Sequence, residues 1–198
     1  MSKNYSEELV SIVREHLDDK GWTYRFEDDN GVFRFGLNIS GNLRSIQYLI
    51  DIRDTDYSVY AISPLSADKD NEDQLHRMSE AVNRINYGLR DGNFELDLND
   101  GEIRYKSYVN CEDSTLSQAM VRRSIGVPAA MFTRYSKVII GIIFSDGDPK
   151  TLVDQCEGRG FAPSSDDSDD RPLDREALLR RLRSLQGASD DDDDDDDK

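Results

Sequence analysis

Two histidines, two cysteines and a set of Asp-rich turns are where side-chain types in this 198-residue chain suggest chemistry. His16 and His76 each fall on a predicted helix flanked by acids or bases, the setting of a surface or half-buried histidine rather than of a general base. Cys111 and Cys156 are too far apart to make a zinc-ligand cluster or a disulfide framework, and they read as reduced structural thiols. Asp97-Leu98-Asn99-Asp100-Gly101 has some of the look of a calcium loop, but its glycine comes one position early and no glutamate closes it at the needed distance. Asp28-Asp29-Asn30-Gly31 and Asp54-Thr55-Asp56 lie where turns call for Asp and Asn in any case. Metal-dependent hydrolysis, the alternative to a binding function, needs at least three carboxylates around one point; Asp28, Asp54, Asp97 and Asp146 are its candidates. The chain has no phosphate loop, no G-x-G-x-x-G, no G-x-S-x-G elbow and no H-E-x-x-H. The expectation is therefore no catalytic, cofactor-binding or metal-ligating residues, no cofactor, and no enzyme.

The elements that must hold these residues read as one α+β domain over residues 1–160. Residues 6–20 carry Leu9, Val13 and Leu17 at helical spacing, with Ser6 as N-cap and Gly21 as stop. The period then changes to two. Trp22, Tyr24 and Phe26 alternate with polar residues, as do Phe33, Phe35, Leu37 and Ile39, then Ile46, Tyr48, Ile50 and Ile52, then Val59 and Ala61. Turns as short as Asn30-Gly31 and Ser40-Gly41-Asn42 between them permit only an antiparallel meander. Leu75, Met78, Val82, Ile85 and Leu89 form the stripe of a second helix. A hairpin follows, with Phe94, Leu96 and Leu98 on one arm and Ile103, Tyr105, Ser107 and Val109 on the other. Residues 116–125 read as helix ended by Gly126, and Pro128 starts another that carries Met131, Tyr135, Val138 and Ile142. Asp148-Pro149 opens a short last helix to about Glu157.

Charge divides the chain unevenly. Of the formal net charge of −16, half falls in residues 161–198, which carry 14 acids against 6 bases. Residues 161–171 read as a disordered linker, 172–187 as a short amphipathic helix with Leu178, Leu182 and Leu185 on one stripe, and 188–198 as a disordered poly-Asp tail. An acidic chain repels nucleic acid and anionic membranes, so neither is an expected partner. The start lacks an apolar secretory core, and the longest apolar run, residues 138–144 (VIIGIIF), is too short to cross a bilayer. A cytoplasmic location is expected.

Residues 5–157 resemble the YbjN family, described as bacterial sensory transduction regulators. The stretch that carries the resemblance is 92–144, which begins GNFELDLNDGEIRYKSYVNCEDSTLSQ and runs through Pro128 to the apolar helix with Gly141 inside it. The resemblance implies an antiparallel sheet, meander plus hairpin, with helices packed on one face, similar to type III secretion chaperones. It implies a non-enzymatic protein-binding module, chaperone-like or regulatory, with no site residues to carry over. The Leu-rich segment and the acidic run after Gly160 lie outside it. From the residues themselves, Trp22, Tyr48, Tyr60, Tyr105 and Tyr108, with Leu178, Leu182 and Leu185, are the candidates for contact with a protein partner, with Tyr24 and Tyr57 as further aromatics. A homodimer, even one with a purely structural role, is the other expectation.

Overall fold

The computed structural model describes residues 3–158. The linker, the 172–187 helix and the poly-Asp tail expected above, with Leu178, Leu182 and Leu185, lie outside the described residues. The chain folds in the order α1 (Glu7–Asp19), β1 (Tyr24–Glu27), β2 (Val32–Asn38), β3 (Ser45–Ile52), β4 (Asp56–Ile62), α2 (Glu72–Gly88), β5 (Asn93–Leu96), β6 (Ile103–Asn110), α3 (Gln118–Ser145) and α4 (Pro149–Glu157). Each helix starts at a short polar side chain that accepts from a backbone N–H of the first turn: Ser6, Asn71, Ser117 and Asp148.

The strands make one six-stranded sheet, β1-β2-β3-β4-β6-β5, and every neighbouring pair is antiparallel. The alternation of residue types puts Phe33, Phe35, Ile46, Tyr48, Ile50, Tyr57, Val59, Ala61, Ile103 and Tyr105 on one face, all buried beneath the helices. Phe94 ties β5 into this layer, edge-on to Tyr105, Phe132 and Tyr135 with ring centroids 4.9–6.0 Å apart. The fold is the expected α+β class, with the helices on one face of the sheet. Buried apolar area of this kind is the main favourable term in holding such a domain together.

Two sequence expectations change. The α2 stripe is rotated: Gln74, Met78, Ala81 and Ile85 face the core, while Leu75, Val82 and Leu89 are half-buried at its sides. More consequentially, Gly126 stops nothing. Residues 118–145 are one helix with Pro128 inside it. Proline brings no N–H and disturbs the turn before it. The Tyr48 hydroxyl enters the adjoining rung, donating to Ile125 O at 2.7 Å and lying against the Ala129 amide. Beside it the Tyr57 hydroxyl is 3.0 Å from Ser124 Oγ, which itself donates to Val121 O. Proline and side chains that enter the ladder are the recognised places where a helix departs from regularity, and here the Tyr48 hydroxyl supplies a polar partner at that turn. At 28 residues α3 meets the length and composition of a bilayer span, beyond what the run 138–144 suggested. Its side chains Val121, Ile125, Phe132, Tyr135, Val138, Ile139 and Ile142 are buried within the fold.

Candidate functional site

The four carboxylates nominated for metal chemistry sit on separate turns, and three of them have local work. Asp28, between β1 and β2, accepts from Lys3 Nζ and the Tyr5 hydroxyl, and its carboxyl is held below its ordinary range first by Lys3. Asp54 lies in the exposed turn between β3 and β4. Asp97 folds its own turn by accepting from Asn99 N at 2.8 Å. Asp146 caps α3 in the left-handed region and pairs with Arg77 at 2.8 Å. Among the described residues no group of three or more His, Cys, Asp or Glu is placed to hold a metal ion. His76 is exposed, but His16 is more buried than expected: it packs edge-on to Trp22, and its Nδ1 lies 3.2 Å from Gln118 Oε1. Burial pushes its pKa down. Both cysteines are free, and burial pushes both thiols up, away from reactivity.

The aromatic candidates separate by face. Tyr48 is 2% exposed and Tyr105 and Tyr57 are fully buried, so these three are corrected to core residues. Their hydroxyls are used internally: Tyr48 and Tyr57 on α3 as described, Tyr105 donating to Asp91 O. Burial raises the phenols of Tyr57 and Tyr105 to about 12. Trp22 and Tyr24 are half-buried at the rim of the helix-covered side, Trp22 stacked on Phe35 at 5.8 Å and Tyr24 bonded to Asp18 at 2.9 Å.

Tyr60 and Tyr108 point the other way, onto the sheet face that no helix covers. The strand registers place Arg34, Leu49, Tyr60 and Lys106 side by side across β2, β3, β4 and β6. The Tyr60 ring lies at the centre of this row with Arg104 4.8 Å and Lys106 5.7 Å from its centroid, a cation–π arrangement that fixes the ring. Ile62 adds apolar surface, and Tyr108, 58% exposed, stands in the row beside Asp51 and Ser58. Arg104 is also paired with Glu95 at 2.7 Å, and Arg34 with Glu27 at 2.9 Å, whereas Lys106 meets no carboxylate among the described residues. A flat face with one aromatic centre, apolar neighbours and cations at intervals can grip an extended segment, but it encloses no reactant. Arg34, Leu49, Arg104 and Lys106 were missed in the sequence. They occupy the polar phase of each strand's alternation, and nothing local shows that β4 and β6 adjoin.

One comparison with known proteins agrees with the resemblance. The sequence profile of the YbjN family, described as "Putative bacterial sensory transduction regulator", matches residues 10–140. No curated protein matches the chain. Among solved structures, one reported as "Crystal structure of YbjN, a putative transcription regulator from E. coli" is similar at 14% identity and a TM-score of 0.41, over 78% of this chain and 96% of that one.

Proposed function

This chain belongs to the YbjN family, and on that premise we propose that it is a non-enzymatic regulatory module that holds a protein partner against the uncovered face of its sheet. The observation that carries the reading is the Tyr60 centre: an aromatic ring on the open face, framed by Arg104 and Lys106 and flanked by Leu49. The partner segment that suits it is extended and carries an apolar side chain for the Tyr60–Leu49 surface with a carboxylate within reach of Lys106. A chaperone-like way of working, shielding an unfolded stretch of another chain, fits the same surface. A cytoplasmic setting belongs to this reading.

The test is a photo-crosslinking residue placed at Tyr60 in the full chain, expressed in its native host, with a second probe at Tyr87 on α2, 91% exposed, as control. A discrete adduct from position 60, absent from position 87 and lost in a K106E background with unchanged melting, is the expected result. Equal labelling from both positions, or none from 60 under any growth condition, refutes it.

A further inference from the structure

The two ends of the sheet are finished differently. In β5 the hydrogen-bonded pair Asp97–Glu102 sets the alternation, so Phe94, opposite Tyr105, directs its N–H and C=O away from β6 toward the free side. There the Asn86 amide of α2 meets both: Asn86 Nδ2 donates to Phe94 O and Phe94 N donates to Asn86 Oδ1, each at 2.8 Å. One side chain thus stands in for the next strand at Phe94.

The β1 edge has no such stand-in. The bond from Ile52 N to Gly31 O turns the peptide groups of Phe33 toward β3, so Phe26, opposite Phe33, directs its N–H and C=O outward, and Tyr24 does the same. Among the described residues nothing bonds to these outward groups. An unsealed edge strand is a template for another strand. Its side chains also favour a particular occupant. Arg25 and Glu27 flank Phe26 on the open face, and Arg25 meets no carboxylate among the described residues. If a second β1 adds antiparallel with Phe26 opposite Phe26, Arg25 of each copy falls opposite Glu27 of the other, giving two complementary pairs about one two-fold axis. The neighbouring register, Tyr24 opposite Phe26, sets Arg25 against Arg25.

We propose that β1 is a self-association edge, on which a second copy of this chain pairs antiparallel about Phe26 and joins the two six-stranded sheets. The proposal uses the edge of the sheet and stands or falls independently of the outer-face reading. The ladder is short, so the dimer is weak and concentration-dependent.

Sedimentation equilibrium of the full chain from about 1 µM to about 1 mM covers the range a weak complex needs. The wild type should shift from monomer to dimer. R25E and E27R each replace two attractions by two repulsions and should weaken the dimer about tenfold. An equimolar mixture of R25E and E27R chains should recover it as a heterodimer, and so should the R25E/E27R double variant with itself. R25E disturbs no intramolecular ion pair, so a melting temperature equal to wild type keeps that arm interpretable even if E27R, which loses the contact with Arg34, is less stable. A wild type that stays monomeric throughout overturns the proposal, as does a dimer that R25E leaves unchanged or a mixture that fails to recover.

Discussion

Replacing Tyr48 by Phe isolates the device that keeps α3 in one piece. Pro128 offers no N–H, and the Tyr48 hydroxyl works in the next rung, between Ile125 O and the Ala129 amide. Tyr48 is 2% exposed, so water does not replace the lost hydroxyl. A buried backbone group left without its partner costs about 1–3 kcal/mol. With a urea slope of about 2 kcal/mol per molar, the unfolding midpoint should fall by about 1 M with the slope unchanged. Circular dichroism and Trp22 fluorescence follow the transition. Tyr60→Phe, on the open face and with no hydrogen bond from its hydroxyl among the described residues, should stay within about 0.5 kcal/mol of wild type. A double-mutant cycle with Pro128→Ala sharpens the test: a regular rung from Ala129 to Ile125 makes the tyrosine redundant, so Tyr48→Phe should cost at least about 0.5 kcal/mol less in that background. A Tyr48→Phe cost below about 0.3 kcal/mol, or a cycle with no coupling, refutes the inserted-hydroxyl account.

Two glycines should respond in opposite directions. Gly126→Ala, in α3 with open space around the new Cβ, should stabilise by about 0.5–1 kcal/mol. Gly101→Ala, at φ +78° with its Cβ aimed at the Ala67 carbonyl, should destabilise by more than about 2 kcal/mol or prevent folding, and thermal melts read both. Asn86→Ala removes two 2.8 Å bonds from the Phe94 backbone; it should cost about 1–2 kcal/mol and leave the Phe94 peptide groups unmet at the β5 edge, detected as aggregation by light scattering well below the melting temperature. His16 is held neutral by burial, against a bond to Gln118 and with help from Lys20 and Arg122. Its folded pKa lies below the ordinary 6.5, so its contribution is complete above that pH and is lost as pH falls further, because the unfolded chain takes up the proton first. Stability should decline as pH falls below 6.5, by at most about 1.4 kcal/mol per pH unit, and His16→Gln should flatten that decline.

The elements were legible where one local rule governed them. Alternation at Phe33-Phe35 and at Ile46-Tyr48-Ile50-Ile52 marks β2 and β3 in phase with their burial, and Ser6 and Asp148 start helices because a free first-turn N–H needs an acceptor. The interaction surface was legible only in part. Alternation tells that Tyr60 and Tyr48 belong to opposite phases only once a neighbouring strand fixes which phase is inside. An aromatic residue is equally at home in a core or at an interface, so Tyr48, Tyr57 and Tyr105 read as contact residues until the helices were seen to lie on them. The break after Gly126 misled for a related reason: Gly and Pro end helices unless a distant group repairs them, and Tyr48 lies far away in sequence.

The sequence by itself determined the class, six strands with intervening helices, the antiparallel turns, and an acidic chain whose Asp-rich clusters within residues 1–160 fall at turns. Those follow from interactions a few residues apart. Only the tertiary structure decided that β4 pairs with β6, and so which side chains surround Tyr60. It also decided that α3 runs through Pro128, and that Asn86 meets the Phe94 peptide groups at one sheet edge while among the described residues nothing meets those of Phe26 at the other. The β4–β6 pairing and the Tyr48 bond to α3 join residues far apart along the chain, where the balance is set by packing over the whole core rather than by local preference.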